Sequence, residues 1–280
     1  MFSRKQIAVL LAEFVGTAVL ALVMLSVQHS VLNLQYFVAL AVGLTLAALV
    51  STFDGNGVSL FNPAVTIGMW TVRQLSALRA LAYIVAEMLG AWAAYGLYTY
   101  FIKSSLQPVG GDYDGRILVA EAVGAFVLSL AYAAATFNNY TNARKAVTVG
   151  AAYALAIILA ASVTIGIINP ALALSVRAFD VFGSMGWTTY ALGPVLGAVI
   201  GFNVYALLFA PESSLVRVRA AVSGRLGRSK AAPAAAASTP AAAPARRSST
   251  TSRSTAKRST RTTRSTSRGR KTTTRRRSTR

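Results

Sequence analysis

A short turn occurs twice in this chain, as Phe61-Asn62-Pro63-Ala64-Val65 and as Ile168-Asn169-Pro170-Ala171-Leu172, with the asparagines 107 positions apart. Each copy follows an apolar run and opens an apolar segment of 10 to 11 residues, near 62–72 and 169–178. A proline one residue inside a helix start loses no hydrogen bond, because first-turn N–H groups lack a helical partner anyway. Pro63 and Pro170 therefore open helices, and Asn62 and Asn169 stand at the caps. An asparagine there holds the first turn through its side-chain oxygen and keeps its NH2 as a donor. At about 1.5 Å per residue, each segment reaches about halfway across a bilayer.

Six other segments are long enough to cross, which takes about 20 apolar residues. They are roughly 7–27, 36–53, 80–102, 117–137, 146–168 and 188–210. The first follows a basic start, like a signal peptide, but it is too long, carries Glu13 and lacks a small-residue cleavage site, so it is read as a span. The chain also repeats itself beyond the turns. Ala12, Glu13 and Gly16 match Ala120, Glu121 and Gly124 at an offset of 108. Gly43 matches Gly150, and Gly90-Ala91 matches Gly197-Ala198, at 107. The halves are about 1–105 and 115–210. Three spans per half is an odd number, so the second half is inverted relative to the first. The predicted fold is an all-α membrane protein of six spans and two half-helices entering from opposite faces.

Charge divides the chain differently. Residues 1–210 carry 9 Lys+Arg against 7 Asp+Glu, while 211–280 carry 19 against Glu212 alone. With a mean hydropathy of +0.52 despite that tail, the body is too apolar for a water-soluble domain. Zero Cys excludes a disulfide framework, a thiolate nucleophile and Cys-metal sites. No catalytic constellation, metal site or cofactor is expected. Arg4, Lys5, Arg73, Arg79, Arg144, Lys145 and the tail fall on one side of the membrane, against Lys103, Arg116 and Arg177 on the other. The positive-inside rule places both termini in the cytoplasm. Residues 211–280, rich in Ala, Pro, Ser, Thr and Arg, cannot bury a core and are expected to be a disordered cytoplasmic tail. Three readings of it stay open: a free tether, a partner of anionic inner-leaflet lipid, or a nucleic-acid-binding arm.

In an inverted repeat the two half-helices meet N-terminus to N-terminus at the membrane centre. Both positive dipole ends and both asparagines then face one point. That arrangement suits a neutral hydrogen-bond acceptor and repels cations, hydrated protons included. Glu13 and Glu121 are acids at matched positions inside spans. They are read as structural acceptors for the irregular backbone ahead of each half-helix, with a proton-coupled role as the sharper alternative. Glu87 is a third acid in an apolar span, matched by Pro194, with no assigned role beyond a structural partner. The recurring glycines are read as close-packing sites between helices.

These residues resemble the major intrinsic protein family, the aquaporins and glycerol facilitators. The resemblance covers 1–210, through Ala12-Glu13-Phe14-Val15-Gly16-Thr17, the stretch from Phe61 to Gly68, and Asn169-Pro170-Ala171. It implies six tilted helices with two re-entrant half-helices, usually a homotetramer in the cell membrane, and a pore centred on Asn62, Pro63, Ala64, Asn169, Pro170 and Ala171. Counted gap-free from the asparagines, the family's filter falls on Val42, Ile157, Gly166 and Leu172. Here the chain departs from the pattern: Leu172 stands where the family has arginine, and the usual aromatic and His partners are absent. A wider and less polar constriction than in a strict water channel is implied. Arg177, five residues past Leu172, is a candidate outer-vestibule residue.

The chain is thus expected to be a passive channel for water and/or small uncharged, glycerol-like solutes, and no enzyme. A strictly water-selective pore, a membrane tether acting through its tail, and a proton-coupled transporter using Glu13 and Glu121 are the rivals.

Overall fold

The structure, a computed structural model, describes residues 3–30, 34–56, 59–108, 113–163, 165–181 and 183–212. The expected tail beyond 212 lies outside the described residues.

Among the described residues six helices are long and apolar enough to cross a membrane. They are α1 (Arg4–Gln28), α2 (Gln35–Phe53), α4 (Ala77–Ile102), α5 (Gly115–Phe137), α6 (Asn142–Ala160) and a last run over Met185–Leu208. The last run comprises α8 (Ser184–Trp187), a π turn (Thr188–Leu192) and α9 (Gly193–Leu208). Pro194 explains the π turn, because it has no N–H to close the bond four residues back. Two short helices, α3 (Pro63–Thr71) and α7 (Pro170–Ser175), complete the inverted repeat.

Helix starts are set by side-chain caps. Ser3 accepts from the Gln6 N–H at 3.3 Å, and Gln6 accepts back from the Ser3 N–H at 2.8 Å, a reciprocal capping box. Thr141 caps α6 through the Arg144 N–H, and Asp114 caps α5 through the Arg116 N–H at 2.8 Å. The Arg116 side chain also hydrogen-bonds Asp114 and holds that carboxyl below its usual range.

One span is shorter than its apolar run. The sequence predicts a crossing over 146–168, but α6 stops at Ala160, 161–163 form a turn and 165–168 are irregular backbone. Ile167 and Ile168 are fully buried, so the run is apolar because it crosses the protein interior. Gly166 at φ +63° and Ile168 at φ +61° give the backbone left-handed steps that no helix continues.

The long helices pair as α1 on α4, α5 on α9 and α2 on α6. The matched glycines stand at these crossings. A Cβ on Gly43 or on Gly150 would lie 2.6 Å from the other's carbonyl oxygen. A Cβ on Gly90 would lie 2.2 Å from the Phe14 carbonyl oxygen, and one on Gly197 1.9 Å from that of Ala122. Backbones approach this closely only where the side chain is a hydrogen atom. Leu11, Leu40, Leu81, Trp92, Val119 and Leu207 point outward and are exposed, the apolar surface a bilayer covers.

Gly197→Val is expected to lower the thermal midpoint of the purified protein, costing about 1–3 kcal/mol or more through overpacking. Gly96→Ala is the control, since a Cβ there meets nothing within 4 Å. Equal effects on the two midpoints would refute the crossing argument.

Candidate functional site

The two half-helices start as their sequences dictate. Asn62 and Asn169 have extended backbones (φ −156° and −140°), and each side-chain oxygen accepts the N–H two residues on, from Ala64 at 2.9 Å and Ala171 at 3.0 Å. Pro63 and Pro170 occupy the first helical position of α3 and α7. Each asparagine also reaches into the other half. The Asn62 Nδ2 donates to the Ile168 carbonyl at 3.1 Å, and the Asn169 Nδ2 donates to the Phe61 carbonyl at 2.8 Å. Phe61 and Ile168 are both left-handed, at φ +53° and +61°, which turns each carbonyl toward the opposite asparagine. An amide nitrogen carries two N–H groups, so this clasp uses one of each pair rather than leaving the NH2 wholly free.

The backbone ahead of each turn is irregular and buried, where water cannot satisfy it. Carboxylates do so instead. Glu13 on α1 accepts from the Leu60 N–H at 3.0 Å and the Phe61 N–H at 2.8 Å. Glu121 on α5 accepts from the Ile167 N–H at 2.8 Å and the Ile168 N–H at 2.5 Å. Gly16 and Gly124 leave room for the Phe61 and Ile168 side chains.

Three further side chains hold these segments; of them the sequence singled out only Glu87, as a structural partner, and gave Tyr132 and Tyr153 no role. Glu87 on α4 accepts from the Asn62 N–H at 3.2 Å and the Thr66 hydroxyl at 2.7 Å. Tyr132 on α5 donates to the Ser59 and Leu60 carbonyls, both at 3.3 Å, and Tyr153 on α6 donates to the Ile167 carbonyl at 3.2 Å. The signal for all three is a polar tip inside an apolar span, which must find a partner there. A partly buried Lys145–Asp54 ion pair ties α6 to the turn after α2, helped by Asn142 donating to the Ser51 carbonyl at 2.9 Å.

The four positions expected to form the filter are all buried. Gly166 lies against α6, where a Cβ would stand 2.6 Å from the Ile157 carbonyl oxygen, so Gly166 and Ile157 are neighbours. Leu172 sits in the first turn of α7, its carbonyl accepting from the Val176 N–H and the Ser175 hydroxyl. Val42, Ile157 and Leu172 are each 0 % exposed. Asn62 and Asn169 are 2 % and 0 % exposed. Arg177 donates to the Leu106 carbonyl at 2.9 Å and to Asp180 at 2.9 Å, beyond the end of α7.

Two inverted three-span halves clasped through half-helix N-termini define a multi-pass membrane channel. The chain belongs to the major intrinsic protein family, whose model matches residues 2–205. It is 31% identical over 207 residues to a glycerol uptake facilitator protein-like 6 of Lactiplantibacillus plantarum, covering 68% of this chain and 93% of that one. It is 29% identical over 228 residues to aquaporin-5 of Ovis aries, covering 75% and 84%. In fold it resembles the aquaglyceroporin from Plasmodium falciparum, with a TM-score of 0.63, 19% identity, and coverage of 75% and 99%. It is a transmembrane channel for water or small solutes, not an enzyme.

Glu121→Leu leaves the Ile167 and Ile168 N–H groups buried without an acceptor, at about 1–3 kcal/mol each. Thermal unfolding should show that loss, and Glu121→Gln, which keeps one acceptor oxygen, should retain more of the stability. A Glu121→Leu protein as stable as Glu121→Gln would contradict the accounting.

Proposed function

We propose that this channel passes water and small uncharged, glycerol-like solutes passively, at a pore centre formed by Asn62, Pro63, Ala64 and Asn169, Pro170, Ala171. The observation that carries the reading is the reciprocal asparagine clasp. It leaves one N–H on each amide for a passing acceptor, beside two helix N-termini that disfavour cations. Relatives named for glycerol uptake and as aquaporins support both kinds of permeant.

Val42, Ile157, Gly166 and Leu172 form the filter. With no arginine beside Ala171, the filter offers few donors to replace water's hydrogen bonds, and its side chains are apolar. This favours solutes with carbon surface over a strictly water-selective pore. Arg177, engaged by Leu106 and Asp180, lies in the outer vestibule. The protein works as a homotetramer in the cell membrane with both termini cytoplasmic. The channel is residues 1–210. The basic tail of 211–280 lies along anionic inner-leaflet lipid rather than nucleic acid, because it leaves directly from a membrane span.

Light scattering on proteoliposomes shocked with sucrose, glycerol and urea tests the channel. The wild type should pass water and at least one small neutral solute faster than empty liposomes, and Leu172→Arg should narrow the range. If nothing moves faster than in empty liposomes, the reading fails. Deleting 211–280 should leave permeation nearly unchanged. Proteolysis of the tail should slow when phosphatidylserine replaces neutral lipid, and equal rates would remove the lipid assignment.

A further inference from the structure

The two half-helices are not held alike. The second turn rests on Glu121, which accepts two successive N–H groups, from Ile167 and Ile168. The first rests on two acids, which accept three, from Leu60, Phe61 and Asn62. The extra acid is Glu87. It has no counterpart in the second half, where Pro194 stands at the matching position.

Glu87 is completely buried, and its Oε1 is fully engaged by Asn62 and Thr66. Its other oxygen, Oε2, is buried and meets no donor among the described residues. The neighbouring ionisable side chain is Glu13, which is itself 1 % exposed and interacts with it directly. A carboxylate oxygen cannot donate, so two ionised carboxyls would leave that oxygen unsatisfied and place like charges side by side. One proton between them removes both penalties and supplies the missing hydrogen bond.

The other groups that reach this pair do not neutralise it. Lys145 acts on Glu13 but is already bound to Asp54. The phenols of Tyr83 on α4 and Tyr132 on α5 also feel the pair, and Tyr132 is engaged by the Ser59 and Leu60 carbonyls. Thr66 on α3 is a neutral donor.

We propose that Glu87 is the positioning residue of Asn62 and shares one proton with Glu13, making permeation through the first half of the pore centre sensitive to pH. Loss of the shared proton drives the two carboxyls apart. Glu13 and Glu87 between them hold the N–H groups of Leu60, Phe61 and Asn62, so their separation displaces the asparagine that clasps Ile168. Permeability therefore falls as pH rises. This rests on the channel reading above.

The test has one arm that needs no transport. Infrared absorption of full-length protein in lipid should show a protonated carboxyl band that weakens in Glu87→Gln. An unchanged band in that variant would overturn the shared proton even if no solute permeated. In the transport arm, wild-type proteoliposomes taken from about pH 5 to about pH 8.5 should lose roughly threefold or more of their glycerol or water permeability. Glu87→Gln keeps the acceptor oxygen for Asn62 and should conduct with a flat pH profile. Glu87→Leu, which removes the acceptor, should conduct less than Glu87→Gln at every pH. A flat wild-type profile, or a Glu87→Gln profile as steep as that of the wild type, would overturn the proposal.

Discussion

The fold depends on two hydrogen bonds that cross between its halves. The Asn62 amide reaches the Ile168 carbonyl, and the Asn169 amide reaches the Phe61 carbonyl. Each asparagine also caps its own helix, so one side chain fixes both the start of a half-helix and its place against the other half. The carbonyls are available because Phe61 and Ile168 accept a left-handed backbone that costs roughly 1–2 kcal/mol per residue outside glycine. That strain persists because burial of both side chains and the carboxylates behind them leave no alternative conformation.

The bilayer explains why acids stand where they do. Irregular backbone in a membrane interior must have every N–H satisfied by the protein. A carboxylate can accept from two successive N–H groups, which no neutral aliphatic side chain does. Glu13 and Glu121 meet that need at matched positions. Tyr132 and Tyr153 complete it from the donor side, giving hydroxyls to carbonyls of the same irregular segments. The buried polar groups thus serve the irregular backbone, and the regular helices meet one another through glycine and alanine.

Much of the architecture was legible in the sequence, for reasons tied to particular residues. The Asn-Pro-Ala turns carry their own cap chemistry, and matched glycines at offsets near 107 carry the duplication. Hydropathy misplaced the end of the fifth span because Ile167 and Ile168 are as apolar as any helix residue, yet belong to buried irregular chain. Hydropathy registers burial and is blind to backbone conformation. Leu172 in place of arginine is plain in the sequence, whereas the burial of Val42, Ile157 and Leu172 comes from neighbours on other elements. Glu87 was visible as an acid in an apolar span, but its partners come from a turn 21 to 25 residues away in sequence.

The clasp also dictates an order of assembly. Its hydrogen bonds join residues 106 and 108 positions apart. When the first three spans have been made, Asn62 has no carbonyl to meet and the Phe61 carbonyl has no donor. At about 5–20 residues per second, the missing partners emerge roughly 3 to 13 seconds later. The first half-helix therefore waits in the membrane, anchored by Glu13 and Glu87 on its own half, until the second half arrives to close it. An additional acid in the first half and none in the second is the asymmetry that such a waiting period would select.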